Sequence, residues 1–220
     1  LINCPLLETV LCDFDEVKII QNVIIVSIDN ANYPDDVFRD YVMTKFDKDN
    51  DHQLTTKEMN AVTKINIDSF IATEKSKSVQ SLKGIEYFPF LTKLACNSTS
   101  INELDISKNL FLEELDVKDN NLNELDISKH IHLKHLDCYN NKISVLDVSN
   151  CTQLVELAFR SNDISTIDIS KCVKLTKLNC QKNALSELNV RNCTNIQEIN
   201  CQENNISELD VHDLLMLEVL

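Results

Sequence analysis

The sequence has very little of what many catalytic loops are built from. It contains one glycine, Gly84, three prolines and no tryptophan among its 220 residues. A glycine-rich phosphate loop and the GxSxG turn of a serine hydrolase each need more than one glycine, so both are excluded. We find no nucleophile paired with a base, and we predict a protein that is not an enzyme.

Basic residues and long apolar runs are also scarce. Acidic residues outnumber basic residues by 35 to 21, which gives a formal net charge of −14. Nucleic-acid binding needs a basic stripe, and anionic lipid surfaces repel an acidic chain, so neither partner is expected. The longest apolar runs, such as residues 23–26, are far too short to cross a bilayer, and no membrane insertion is expected.

The dominant feature is a 21-residue unit that recurs without insertion from residue 91 to residue 220. Each unit opens with two apolar residues three positions apart, and these pairs are Leu91/Leu94, Leu112/Leu115, Leu133/Leu136, Leu154/Leu157, Leu175/Leu178, Ile196/Ile199 and Leu217/Leu220. An apolar or thiol side chain follows two residues later, at Cys96, Val117, Cys138, Phe159, Cys180 and Cys201. The turn then closes with Asn120, Asn141, Asn162, Asn183 and Asn204, and with Thr99 in the first copy. This LxxLxLxxN pattern is typical of leucine-rich repeats.

The repeat predicts the fold class. A unit this short cannot bury its own apolar residues, so it must stack against its neighbours. Leu115 and Val117 are predicted to face inward from a short strand, while Glu114, Asp116 and Lys118 face water. We therefore predict an α/β solenoid, a leucine-rich-repeat horseshoe with a parallel sheet on its concave side. The repeat asparagines are predicted to bond turn backbone groups inside the coil.

Two further columns of side chains follow from the repeat. The first is acidic and consists of Asp105, Asp126, Asp147, Asp168 and Asp210, interrupted by Asn189. We predict that these carboxylates accept backbone N–H bonds at the return turn, in preference to binding an ion or ligand. The second, an apolar site in the unit, holds Cys151, Cys172 and Cys193. All seven repeat cysteines are predicted to be buried, reduced thiols. Cys4 and Cys12 lie outside the repeat and are free to pair in an exported protein.

The chain divides into four segments. Residues 1–32 form an N-terminal segment of uncertain structure, in which 23–28 has the β-branched density of a buried strand. Residues 33–67 are predicted to form a helical cap, with Pro34 at the first helical position. Residues 68–90 are predicted to be a polar loop and a degenerate lead-in repeat. The array occupies 91–220, and we expect it to continue beyond residue 220.

Within the cap, residues 47–58 match the twelve-residue calcium loop of an EF-hand. The candidate ligands are the side chains of Asp47, Asp49, Asp51, Thr55 and Glu58 and the backbone carbonyl of Gln53. Calcium is a hard cation that prefers six to eight oxygen ligands, and carboxylates converging without it would repel one another. His52 stands where the motif has glycine, which weakens the expected affinity. An ion-free acidic turn between two helices is the alternative.

The combined arrangement resembles the cell-surface leucine-rich-repeat proteins of gut-dwelling bacteria. The matching residues are 34–42, 46–58, 82–88, 104–107 and 146–149, together with Cys138 and Asn141. The resemblance covers about residues 32–220 and implies an exported or cell-anchored binding protein with a calcium loop in its N-terminal cap. The chain begins at Leu1 without methionine and shows no signal peptide, so we expect an upstream segment to have been removed.

The outward-facing strand residues differ from repeat to repeat, whereas the inward residues do not. Variation of this kind favours a surface that recognises a protein or glycan partner over a structural spacer that displays another domain. Tyrosine and arginine dominate interface energetics. We therefore predict that the binding patch contains His135, Asp137, Tyr139 and Arg160 on two neighbouring strands.

Overall fold

The structure, a computed structural model, describes residues 12–13, 16–17, 23–71 and 78–220. The elements before the array are β1 (Cys12–Asp13), β2 (Glu16–Val17), β3 (Ile25–Ser27), α1 (Asp36–Lys45), β4 (Gln53–Thr55), α2 (Thr56–Ala61), β5 (Lys64–Asn66), α3 (Asp68–Ile71) and a 3₁₀ turn (Ile85–Tyr87). The array strands are β6 (Lys93–Ala95), β7 (Glu114–Asp116), β8 (His135–Asp137), β9 (Glu156–Ala158), β10 (Lys177–Asn179) and β11 (Glu198–Asn200). The pairing considered for Cys4 and Cys12 lies outside the described residues.

One parallel sheet runs through the array in the order β11-β10-β9-β8-β7-β6-β5. Within the array, each strand pairs with the next in register, so that Leu115 lies beside Leu136. Leu115 and Val117 are buried, and Glu114, Asp116 and Lys118 are partly exposed. The predicted solenoid and strand register are therefore confirmed. The sheet begins with β5, which lies at the end of residues 33–67 and pairs in parallel with β6.

The turn after each array strand from β7 to β11 is held by an asparagine amide that is buried or partly buried, and Thr99 takes this place after β6. In Asn141 the Nδ2 group donates to the carbonyls of Val117 and Cys138, each at 3.0 Å, and Oδ1 accepts the Leu122 N–H at 3.0 Å. The Nδ2 groups of Asn120, Asn162, Asn183 and Asn204 make the equivalent bonds. These bonds satisfy carbonyl groups of two successive turns, as predicted.

The residue directly before Thr99 and before each of the five repeat asparagines has a left-handed backbone, which the sequence did not indicate. The residues are Ser98, Asp119, Asn140, Ser161, Lys182 and Glu203, with φ between 52° and 55°. This conformation costs about 1–2 kcal/mol for a residue with a Cβ atom. Because the array contains no glycine, the side-chain bonds of the neighbouring asparagine or threonine must offset this strain.

The return turns use two more sets of hydrogen bonds. The Oδ1 atoms of Asp105, Asp126, Asp147, Asp168 and Asp210 each accept the N–H of the residue two positions later. The predicted corner role of these aspartates is confirmed. The position four residues after this corner residue, which we predicted to be apolar, forms a column of hydrogen-bond donors instead. The residues that face a carbonyl of the preceding turn in this column are Asn109, His130, Cys151, Cys172 and Cys193. A thiol suits this site because it is small and is also a weak donor.

The cap packs against the start of the sheet. The helix α1 begins at Asp36, so Pro34 lies before the helix and not at its first position. Asp35 is the N-cap: its Oδ1 accepts the Phe38 N–H at 2.9 Å, and its Oδ2 accepts the Gln80 N–H at 2.7 Å. Gly84 has a φ of 105°, and a Cβ atom there would lie 2.3 Å from the Tyr33 ring. Position 84 therefore needs glycine.

Two other cap predictions need correction. The strand predicted over 23–28 is shorter than expected, and it alternates between exposed and buried residues because only one face of the β3–β4 sheet packs on the core. The polar loop predicted over 68–90 begins with α3 and includes Val79, whose side chain is fully buried. Among the described residues, no helix has the length and apolar content needed to cross a bilayer.

Replacing Asn162 with alanine is expected to destabilise the array strongly. The change leaves the N–H of Ile143 without a partner inside the coil, and it removes one of the two amide donors to the carbonyls of Cys138 and Phe159, which keep Asn141 and Asn183. A buried group left unpaired costs about 1–3 kcal/mol and each lost hydrogen bond about 0.5–1.5 kcal/mol, so we expect a loss of roughly 3 kcal/mol in urea denaturation. Asn123→Ala is the matched control, since Asn123 is exposed. An equal loss in both variants would contradict the role of the buried amide.

Thiol labelling of the native protein is expected to modify Cys201 before the other repeat cysteines. Six of the seven are buried, and Cys201 is only partly buried, which corrects the prediction that all seven are buried. Burial raises the pKa of Cys193 to about 11 and keeps that thiol protonated near neutral pH. In a Cys4→Ser/Cys12→Ser background, mass spectrometry after brief labelling should find one modified residue. Rapid labelling of Cys138 would show that the strand register is wrong.

Candidate binding face and acidic loop

The outward side chains of the parallel strands, with the residue two positions after each strand, form a surface that we call the sheet face. On it, β8 lies beside β9, with His135 opposite Glu156 and Asp137 opposite Ala158. Beyond the strands, the Arg160 guanidinium lies over the Tyr139 ring, 5.3 Å from its centroid. The predicted proximity of Tyr139 and Arg160 is therefore present in the structure.

Asp137 and Tyr139 are linked through the backbone. The Tyr139 N–H donates to Asp137 Oδ1 at 3.1 Å. Partial burial, with the nearby charge of Asp116, raises the pKa of Asp137. Lys118 lies close to both carboxylates, with its Nζ 3.1 Å from Asp116 Oδ2 and 3.8 Å from Asp137 Oδ2. This part of the sheet face therefore joins a cation–π pair to a cluster of two acids and one lysine.

A neighbouring column of the sheet face pairs opposite charges along the sheet. His135 Nδ1 lies 3.3 Å from Glu156 Oε2, and Lys177 Nζ lies 3.7 Å from Glu156 Oε1. Lys93 and Glu114 form a further pair. These side chains are about half exposed, so each pair contributes only about 0.2–1 kcal/mol to stability. A shallow cavity of about 300 Å³ lies among these side chains and those of Asp116 and Asp137.

Two polar atoms of this surface have no hydrogen-bond partner among the described residues, although both atoms are buried. They are Arg160 Nε and Asp116 Oδ1. A buried donor or acceptor without a partner is unfavourable, and a water molecule or a bound group would relieve the cost. Both atoms lie beside the predicted patch. The structure thus brings Asp137, Tyr139 and Arg160 together and places His135 in the adjacent column.

The second candidate site is the acidic loop between α1 and β4. Carboxylate oxygens of Asp47, Asp49 and Glu58 lie within 4.8 Å of one another. Asp47 is only 5% exposed, and its Oδ2 accepts the His52 N–H at 3.0 Å. Its Oδ1 atom is buried and has no partner among the described residues. An unpaired buried carboxylate oxygen beside two further carboxylates fits a hard cation such as calcium.

The other predicted ligands, Asp51, Gln53 and Thr55, take part in local hydrogen bonds or strand pairing. Asp51 lies outside the cluster, and its Oδ1 accepts the Gln53 N–H at 2.8 Å. Thr55 and Glu58 form the capping box of α2, with Glu58 Oε2 accepting the Thr55 N–H at 3.0 Å. The β3–β4 register makes Val26 and Leu54 a hydrogen-bonded pair, so the Gln53 carbonyl faces away from β3.

The carboxylates of the loop influence one another electrostatically. Desolvation and the charges of Asp51, Glu58 and Asp47 raise the pKa of Asp49. Partial burial favours the neutral form of Glu58, but the N–H groups of Lys48 and Thr55 and the Thr55 hydroxyl hold its pKa below the usual range. His52 adopts the left-handed conformation that glycine has in the motif, with a φ of 61°.

Sequence reasoning missed one contributor to the sheet face. Asp68, on α3, accepts from the Asn97 amide at 2.7 Å, and the same amide donates to Asp116 at 2.8 Å. Asp68 therefore extends the acidic cluster toward the cap. It lies 29 positions before Asn97, so the 21-residue spacing that aligns the array gave no signal for it.

Comparisons with known proteins agree with the solenoid fold. No protein-family model matches the chain, and no curated protein matches it. Among solved structures, the functional domain of InlJ from Listeria monocytogenes, described as including a cysteine ladder, matches with a TM-score of 0.69. The sequences are 30% identical, and the match covers 90% of this chain and 47% of that chain.

Two further structures match at lower identity. An internalin C2 from Listeria monocytogenes has a TM-score of 0.63 at 21% identity, covering 89% of this chain and 96% of its own. YopM from Yersinia enterocolitica has a TM-score of 0.56 at 24% identity, covering 65% of this chain and 31% of its own. The chain is a leucine-rich-repeat protein. This leucine-rich-repeat chain spans about half the length of the InlJ domain that it matches.

Proposed function

We propose that this leucine-rich-repeat chain is a non-catalytic binding module whose sheet face recognises a protein or glycan. The observation that carries the proposal is the Arg160–Tyr139 pair beside Asp137 on neighbouring turns. We place this binding outside the cell or at a bacterial cell surface, on the strength of the sequence resemblance.

Inward leucines and the buried asparagines stabilise each turn, so outward side chains are largely free to vary. Most of the sheet face carries self-paired charges or amides, which contribute little to binding a partner. Tyr139 and Arg160 differ, because tyrosine provides a large, rigid contact area at a low cost in conformational entropy and arginine adds hydrogen-bond donors in a planar fork. The adjacent His135 and Asp137 add polar groups that would confer specificity on either a protein or a glycan.

A Tyr139→Ala/Arg160→Ala variant is expected to lose at least tenfold in affinity without losing stability. The measurement is a screen of wild-type protein against immobilised glycans and a displayed library of protein fragments, followed by titration of each ligand that is found. Truncating a hot-spot residue costs about 2 kcal/mol or more, which exceeds a tenfold change.

The matched control is Gln181→Ala/Gln202→Ala, which truncates two residues in the same column of the sheet face. Equal affinity in the two double variants would exclude the Tyr139–Arg160 patch as the binding site. If the wild-type protein binds nothing in either screen, the spacer alternative gains support.

We also propose that residues 47–58 hold a structural calcium ion. Asp47, Asp49 and Glu58 would supply the carboxylates that already converge, and the unpaired Asp47 oxygen is the main support. Asp51 and Thr55 would complete the side-chain ligands, and Gln53 would offer its carbonyl oxygen. His52 supports the left-handed turn at a cost of about 1–2 kcal/mol, so the expected affinity is lower than with glycine.

The ion would stabilise the cap at the start of the sheet. The loop continues directly into β4, which pairs with β3, and into α2, which leads to β5. On the other side of the loop, the Tyr41 hydroxyl of α1 accepts the Asn66 N–H of β5 at 3.1 Å. A calcium ion that neutralises the converging carboxylates would therefore hold α1, α2 and β5 together.

Calorimetric titration with millimolar calcium is expected to show one binding event that raises the melting temperature. Glu58→Gln should abolish this event and keep the capping box, because glutamine also accepts the cap N–H. His52→Gly should bind calcium more tightly, because it removes the backbone strain. Absence of heat and of a melting shift in both the wild type and His52→Gly would show that the loop is an ion-free turn.

A further inference from the structure

A second concave surface lies on the side of the solenoid away from the sheet face. It is a groove of about 670 Å³ between residues 81–86, which we call the lead-in segment, and the return turns of the first three repeats. Its lining includes Leu82, Leu104, Leu125 and Ile127, which provide an apolar floor. We call it the return groove.

The return groove is strongly acidic. Its lining carries six carboxylates and one cation, Lys83; the carboxylates are Glu86, Glu103, Asp105, Glu124, Asp126 and Asp147. Apart from Glu86, they form two rows, because residues 21 positions apart occupy equivalent places on neighbouring turns, whose strands lie about 4.8 Å apart. Like charges at that spacing repel one another and destabilise a fold unless something compensates them.

The fold accounts for the aspartate row only. Each of those aspartates uses Oδ1 to accept a backbone N–H at the return turn, and asparagine does the same at Asn189. Glu103 and Glu124 are exposed and make no hydrogen bond or ion pair with any described residue. The equivalent residues of the next two repeats, Val145 and Thr166, are uncharged. Glutamate returns in this column only beyond the groove, at Glu187 and Glu208, so the two glutamates of the groove lie at the end that the lead-in segment closes.

The hydrogen bonds of the return turn also keep the groove charged. Bonds from the backbone and hydroxyl of Ser107 hold the pKa of Asp105 below its usual range. The hydroxyl and backbone of Ser128 do the same for the pKa of Asp126, and those of Ser149 for that of Asp147. These aspartates consequently remain ionised as the pH falls below neutrality.

We propose that the return groove docks an extended segment of a partner protein in which lysine or arginine alternates with apolar residues. The cations would pair with the two carboxylate rows, and the apolar residues would cover the floor and Val145, which is 74% exposed at the open end. A second copy of this chain is a poor occupant, because it carries the same net charge of −14. The return groove is separate from the Tyr139–Arg160 patch.

The test uses fluorescence anisotropy with a labelled octapeptide that alternates lysine and valine. The wild-type protein is expected to bind it, and to bind a glutamate–valine octapeptide at least tenfold more weakly. The variant Glu103→Gln/Glu124→Gln/Asp126→Asn should lose about tenfold in affinity, because each exposed ion pair contributes a modest increment. Val145→Lys, an exposed substitution that preserves folding, should weaken binding in the same direction.

The matched control removes three negative charges from equivalent positions outside the groove: Glu187→Gln/Glu208→Gln/Asp168→Asn. It is expected to change affinity less than twofold. Equal losses in the two triple variants would show that only net charge attracts the peptide and would overturn the proposal. A loss of peptide binding in Tyr139→Ala/Arg160→Ala would also overturn it, by moving the site to the sheet face.

Discussion

The array depends on one side-chain amide in the turn after each strand from β7 to β11. Without glycine, the chain leaves every strand through a residue with a left-handed backbone, and such a residue is strained. The asparagine that follows in most turns satisfies carbonyl groups of its own turn and of the preceding turn. It therefore fixes the turn and joins it to its neighbour in the same contact. Stability is accordingly spread along the array as a sum of neighbour interactions.

This arrangement separates folding from surface chemistry. Inward positions are occupied by leucines, thiols and the amide column, and the donor column of Asn109, His130 and the cysteines satisfies the return-turn carbonyls. Outward side chains on both sides of the solenoid can then change without loss of the fold. The sheet face has a cation–π pair beside acids, and the return groove has two rows of carboxylates over an apolar floor. We therefore assign the two surfaces to different partners.

The acidic loop shows how far single-sequence reasoning reaches into a site. The spacing of Asp47, Asp49 and Glu58 predicts converging carboxylates, and the structure brings these three together. It does not bring Asp51 into the same cluster, because one Asp51 oxygen bonds the Gln53 backbone. Which oxygens remain free is a matter of local hydrogen bonding. Spacing alone specifies neither the rotamer nor the competing donors.

The sequence by itself determined the solenoid, its strand register, the roles of the asparagine and aspartate columns and the proximity of Tyr139 to Arg160. Each follows from translation along a constant 21-residue repeat, which makes equivalent residues neighbours. Only the tertiary structure decided that Asp35 joins α1 to Gln80, that Asp68 extends the sheet face, and that the lead-in segment closes the return groove. Those contacts join non-repeating segments to the array. Which residues meet in these contacts depends on how the cap packs, and a periodic sequence pattern does not predict it.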